Sequence, residues 1–86
     1  MKAYSIPSPR ALRCAAEGIK WDKDYRKAME LADTWERESW DDQQETVTLE
    51  VGKNAHLFHT VNGKKTLLAA MYTAAAKDFV KGLDEI

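Results

Sequence analysis

His56 and His59 are the two imidazoles of this 86-residue chain, and imidazole is the side chain most often found ligating metals or moving protons near neutral pH. Both lie in Thr46 to Val61, a stretch that reads as a two-strand β-hairpin. Three residues apart on a strand, two side chains point to opposite faces and cannot share an ion, so no metal site is expected. Cys14 is the only cysteine, which excludes an intramolecular disulfide and a multi-cysteine zinc site. A nucleophilic thiol needs a base and surroundings that favour the thiolate. Neither stands near Cys14 in sequence, so it reads as a small, partly buried helix residue. Glu38, Asp41, Asp42 and Glu45 supply carboxylates enough for a divalent ion or an acid–base pair, but acids in a polar loop are ordinarily solvated. Gly63-Lys64-Lys65-Thr66 has the ending of a phosphate-binding loop, yet Phe58 occupies the position of that motif's first glycine. These residues point away from an enzyme, and no cofactor is expected.

The elements that hold them follow from periodicity. Ser8-Pro9 is a helix start: Ser caps free amides, and proline at the first helical position loses no hydrogen bond. Ala11, Leu12, Ala15, Ala16 and Ile19 then share one side, opposite Arg10, Arg13 and Glu17, and Gly18 marks the end. Asp22 caps a second helix. Trp21, Tyr25, Ala28, Met29, Leu31, Ala32 and Trp35 gather on one half of it, with Lys23, Arg26, Lys27, Glu30, Asp33, Thr34 and Arg37 on the other. Asp33 and Arg37 stand at i,i+4, consistent with a helix reaching about Ser39, and Trp40 to Gln44 reads as a connecting loop.

From Thr46 the period becomes two. A three-residue loop, Gly52-Lys53-Asn54, pairs Val51 with Ala55 and therefore Leu49 with Leu57, Thr48 with Phe58 and Val47 with His59. Val47, Leu49, Val51, Ala55, Leu57, His59 and Val61 share one face. Thr46, Thr48, Glu50, His56 and Thr60 share the other, with one apolar misfit, Phe58. Asn62-Gly63 predicts a tight reversal followed by a short stub of third strand over Lys64 to Thr66. A last helix then begins near Thr66, carries Leu68, Met71, Tyr72, Ala75, Phe79 and Leu83 as its stripe, and closes at Gly82. The expected fold is one small α+β domain spanning residues 1–86, in the order α-α-β-β-α, with the hairpin packed on the helices.

At 44% hydrophobic and 31% charged residues the chain has the composition of a folding domain, neither a disordered polyampholyte nor a membrane protein. The N-terminus lacks an apolar leader, and the longest apolar run, Leu67 to Tyr72, falls far below the ~20 residues of a membrane span, so a cytoplasmic location is expected. The net charge of −1 hides segregation along the chain. Residues 1–27 carry +4 (seven basic, three acidic), 28–50 carry −7 (one basic, eight acidic) and 51–86 carry +2 (five basic, three acidic). A general basic footprint for nucleic acid is absent.

Lys64-Lys65 after the hairpin, at the entrance to an alanine-rich helix, resembles the end of a double-stranded-RNA-binding domain. The resemblance covers the last third of the chain and departs from the family in lacking a full third strand, the later lysine of the motif and a basic first-helix face. It implies that Lys64 and Lys65 grip phosphates at the helix N-terminus, helped by neighbours such as Lys53.

Two features favour a protein partner instead. Phe58 interrupts the polar hairpin face formed by Thr48, Glu50 and His56, unless an N-terminal segment carrying Tyr4 and Ile6 covers it. The acidic stretch from Glu30 to Glu50 surrounds Trp40, with Asp41 and Asp42 beside it, and an aromatic anchor with an acidic rim suits a basic protein surface. The sequence thus leads to a small non-catalytic protein-binding module, a regulator, adaptor or inhibitor of the kind that phages and mobile elements direct at host defence enzymes. A hairpin edge left uncovered would also pair with a second copy to form a homodimer.

Overall fold

In the computed structural model, which describes residues 1–40 and 44–86, four strands and three helices follow in the order β1 (Lys2–Ser5), α1 (Pro9–Ala16), α2 (Asp22–Glu38), β2 (Glu45–Val51), β3 (Ala55–Val61), β4 (Lys64–Met71) and α3 (Thr73–Phe79). A single 3-10 turn, Val80–Gly82, continues α3. The class is α+β, as the periodicity predicts, with two differences in order: a strand precedes α1, and the stub after Asn62-Gly63 is a full strand.

The strands form one antiparallel sheet in the order β1-β2-β3-β4. The hairpin pairs in the expected register, Val51 with Ala55, Leu49 with Leu57, Thr48 with Phe58 and Val47 with His59. Asn62 and Gly63 both take positive φ, 50° and 83°, the backbone a two-residue reversal requires and the reason Asn-Gly predicts one. β4 pairs with β3 up to Ala55–Met71, with Leu68 as an extra residue at a bulge between the Leu57–Ala69 and Phe58–Leu67 pairs. The last helix therefore begins at Thr73 and not near Thr66, and Leu68 and Met71 belong to a strand. Alanine and leucine favour helix in isolation. Pairing with an adjacent strand and burial of Ala69 and Met71, each 1% exposed, override that preference.

One face of the sheet meets the helices. Val47, Leu49, Val51, Ala55, Leu57, Ala69 and Met71 are buried there against Leu12, Ala15, Ala28, Ala32, Trp35 and Ala76, while among the described residues none on the opposite face is buried. Ser8 caps α1 by accepting the Ala11 N–H at 3.1 Å. Arg13 on α1 reaches across to α2, donating to Asp33 (2.8 Å) and Glu36 (2.9 Å), so Asp33 pairs between helices rather than with Arg37. Glu36 first and Asp33 second raise the basicity of that guanidinium further. Trp21 and Tyr25, expected on the buried half of α2, are 62% and 38% exposed, because α1 ends at Ala16 and offers them no neighbouring helix. Cys14 is also exposed, not partly buried.

Gly18 is needed by packing. A Cβ there would stand 2.9 Å from the Ala75 Cβ and 3.0 Å from the Met71 Cε. Gly18→Ala is expected to destabilise the fold by about 1–3 kcal/mol, because the α3 backbone must move to admit one methyl group. A urea titration followed by far-UV circular dichroism measures this, and an unchanged midpoint would contradict the packing.

The two hairpin strands are not edges, since β1 and β4 flank them. The outer side of β1 is itself covered, by the Ser5 N–H donating to the Asp84 carbonyl (3.2 Å) and the Ile86 N–H donating to the Ala3 carbonyl (2.8 Å). Among the described residues, no helix is long and apolar enough to cross a membrane.

Candidate functional site

Because pairing partners share a face, the hairpin register places Thr48, Glu50, His56 and Phe58 together on the side of the sheet without helices. β4 adds Lys65, opposite Thr60, and Leu67, opposite Phe58. Lys65 bends across β3 so that its Nζ lies over the Phe58 ring, 4.4 Å from the centroid, and forms a close ion pair with Glu50 on β2. The His56 ring lies tilted 6.3 Å from Phe58 on the other side. Phe58 is half-buried by these neighbours and Leu67 is 56% exposed beside it. The N-terminal segment does not cover Phe58: Tyr4 pairs with Leu49 and packs on the core, and Ile6 is buried in it. Lys65 and Leu67 escaped the sequence reading as parts of this surface. Carrying the Asn62-Gly63 register a few residues further sets Lys65 beside Thr60 on this face.

Trp40 has a different role from an exposed anchor. Its ring stacks on Trp35 (centroids 4.8 Å apart, planes 4° from parallel) and on His59 (5.1 Å, 15°). The His59 Nε2 is hydrogen-bonded to the Glu45 Oε2 at 2.7 Å. Val47 faces His59 and Glu45 lies two residues before Val47, so the same register makes Glu45 and His59 diagonal neighbours, a pairing the sequence reading left unused. The Trp40 indole N–H is buried with no acceptor among the described residues. Glu45 and His59 have the composition of an acid–base dyad. Among the described residues, however, no hydroxyl, thiol or second carboxylate is hydrogen-bonded to the ring, and no group of three His, Cys, Asp or Glu is placed to hold a metal. His59→Ala removes one wall of the stack and leaves a half-buried carboxylate unpaired, so stability should fall by about 1–3 kcal/mol. Near-UV circular dichroism of the tryptophan pair should change with it; an unaltered spectrum and midpoint would contradict the stack.

The acidic stretch does not converge on one rim. Asp33 and Glu36 hold Arg13, Glu45 holds His59 and Glu50 holds Lys65, while Asp41 and Asp42 lie outside the described residues. The lysines of the phosphate-binding expectation do not converge either. Lys53 is in the β2–β3 turn and Lys64 and Lys65 begin β4, at opposite ends of β3, roughly 20 Å apart at strand rise. The N-terminus of α3 is at Thr73, so neither Lys64 nor Lys65 stands at a helix start. His56 and His59 occupy opposite faces, opposite Glu50 and Val47 respectively. The chain matches no protein-family model, no curated protein and no solved structure.

Proposed function

We propose that the chain is a non-catalytic module that binds another protein through the helix-free face of its sheet, with Phe58 and Leu67 as the apolar centre and Thr48, Glu50, His56 and Lys65 as the polar surround. One observation carries this reading: Phe58 sits in the middle of an inner strand on a face that no helix covers, next to an exposed leucine. An aromatic centre within a polar rim is the composition of a protein contact. The face has little attraction for a phosphate chain, because Glu50 takes the charge of Lys65. Such a surface acts by occupying or recruiting, which is the mode of a regulator, adaptor or inhibitor.

Immobilised wild-type chain should capture a partner from the lysate of its source cells, and the Phe58→Ala chain should recover much less of it at equal loading. Equal recovery by both would remove this face from consideration. The second reading, nucleic-acid binding through Lys53, Lys64 and Lys65, is separated by salt. Affinity for duplex RNA that falls steeply with ionic strength favours it, and indifference to RNA at low salt eliminates it.

A further inference from the structure

The side of β4 away from β3 is used by the chain only near its end. There the Lys20 N–H donates to the Ala70 carbonyl (3.0 Å), the Tyr72 N–H donates to the Gly18 carbonyl (2.9 Å), and Ile19 bridges Met71 in antiparallel fashion. Among the described residues, no backbone hydrogen bond reaches Lys64 to Ala69 from that side. The amides and carbonyls of such an edge are satisfied by water or by another extended chain. The segment Gly18–Lys20 already demonstrates that this edge accepts one.

Alongside the open stretch, α2 and β4 border a groove of about 380 Å³. Leu31, Leu67 and Leu68 give it apolar walls, and Lys27, Glu30 and His59 give it polar ones. The charge along the edge is uneven. Lys27 and Lys64 form no ion pair among the described residues, the Lys20 Nζ lies over the Tyr72 ring 5.8 Å from its centroid, and Glu30 is the one acid among the described residues that line the groove. From Lys64 to Ala70, where Lys20 is bonded, the edge runs roughly 20 Å, enough for six or so extended residues.

We propose that β4 accepts an extended acidic segment of a partner protein as a fifth strand over Lys64 to Ala69. The backbone of that segment pairs with the open edge, one of its apolar side chains sits against Leu31 and Leu68, and carboxylates on the same strand face meet Lys27 and Lys64. A second copy of this chain is the poorer occupant, because its own β4 edge brings the same lysines and like charges repel. The contact adjoins the sheet face centred on Phe58 at Leu67 and does not use the Phe58 ring.

The probe is a fluorescein-labelled seven-residue peptide, Thr-Glu-Thr-Leu-Thr-Glu-Thr, whose Leu and two Glu side chains share one face of the strand, followed by anisotropy. Two companions are the same peptide with Lys in place of Glu and a fully N-methylated version that keeps the charges but has no N–H to donate. The acidic peptide should bind, the lysine peptide at least about tenfold more weakly, and the N-methylated peptide not at all. Lys27→Glu combined with Lys64→Glu, both at exposed positions, should weaken the acidic peptide by about tenfold or more, a loss of about 1.4 kcal/mol. Phe58→Ala should leave it unchanged, which separates this contact from the one proposed above. The proposal is overturned by absence of binding at about 1 mM peptide, by equal binding of the lysine or N-methylated peptide, by displacement with duplex RNA, or by a free protein that sediments as a dimer dissociated by the acidic peptide.

Discussion

Leu57→Ala is expected to cost about 3–5 kcal/mol, a large share of the roughly 4–13 kcal/mol available to a domain of this size. Leu57 is fully buried on β3, an inner strand, facing Leu49 on β2 and Ala69 on β4. Both of those neighbours are fixed in the ladder and cannot collapse into the space, and the helices on that side are held by their own contacts with the sheet. The cavity therefore persists, and its cost adds to the lost transfer energy of the side chain. The melting temperature should fall by roughly 12–40 °C, measured by differential scanning calorimetry. A drop of only a few degrees would mean that the centre of the sheet is not where the core lies.

Phe58→Ala, one residue along the same strand, should do the opposite. Its ring is on the other face, half-buried beneath Lys65 and beside His56. Truncation removes the cation–π contact and some apolar cover, an effect on folding of about 1 kcal/mol or less. Binding of the captured partner should weaken by roughly 30-fold or more, the loss typical of removing a central aromatic from an interface. Isothermal titration reads that loss, and calorimetric melting shows that the variant remains folded. The pair is diagnostic because the two positions differ in the face they serve: Leu57 the core, Phe58 the face proposed to bind a partner.

The hairpin was legible because turn length fixes register. Once Gly52-Lys53-Asn54 sets Val51 opposite Ala55, every later pair follows, and with it the sharing of one face by Thr48, Glu50, His56 and Phe58. β4 was not legible. Lys64–Met71 is composed largely of residues that favour helix, and what makes it a strand is pairing with β3, from Val61–Lys64 at the turn to Ala55–Met71 sixteen residues apart. β1 was missed for another reason: four residues, Lys2–Ser5, are too few to display a period, and their pairing with β2 spans more than forty residues of chain. Trp21 and Tyr25 mark a limit of periodicity itself. It reveals which side of a helix is apolar, but not whether a neighbour extends far enough to cover it, and α1 stops at Ala16. Trp40 lies just past α2, where no period places it; its stack between Trp35 and His59 joins α2 to β3 and is visible only in the folded state.

The helix-free face as a protein contact is tested most directly by side-chain NMR of the wild-type chain titrated with the captured partner. The Phe58 ring and the methyl groups of Leu67 and Thr48 should shift most, with the buried methyls of Leu12 and Leu49 moving little. Shifts concentrated at Trp21 and Tyr25, with Phe58, Leu67 and Thr48 unmoved, would contradict the account and place the contact at the uncovered start of α2.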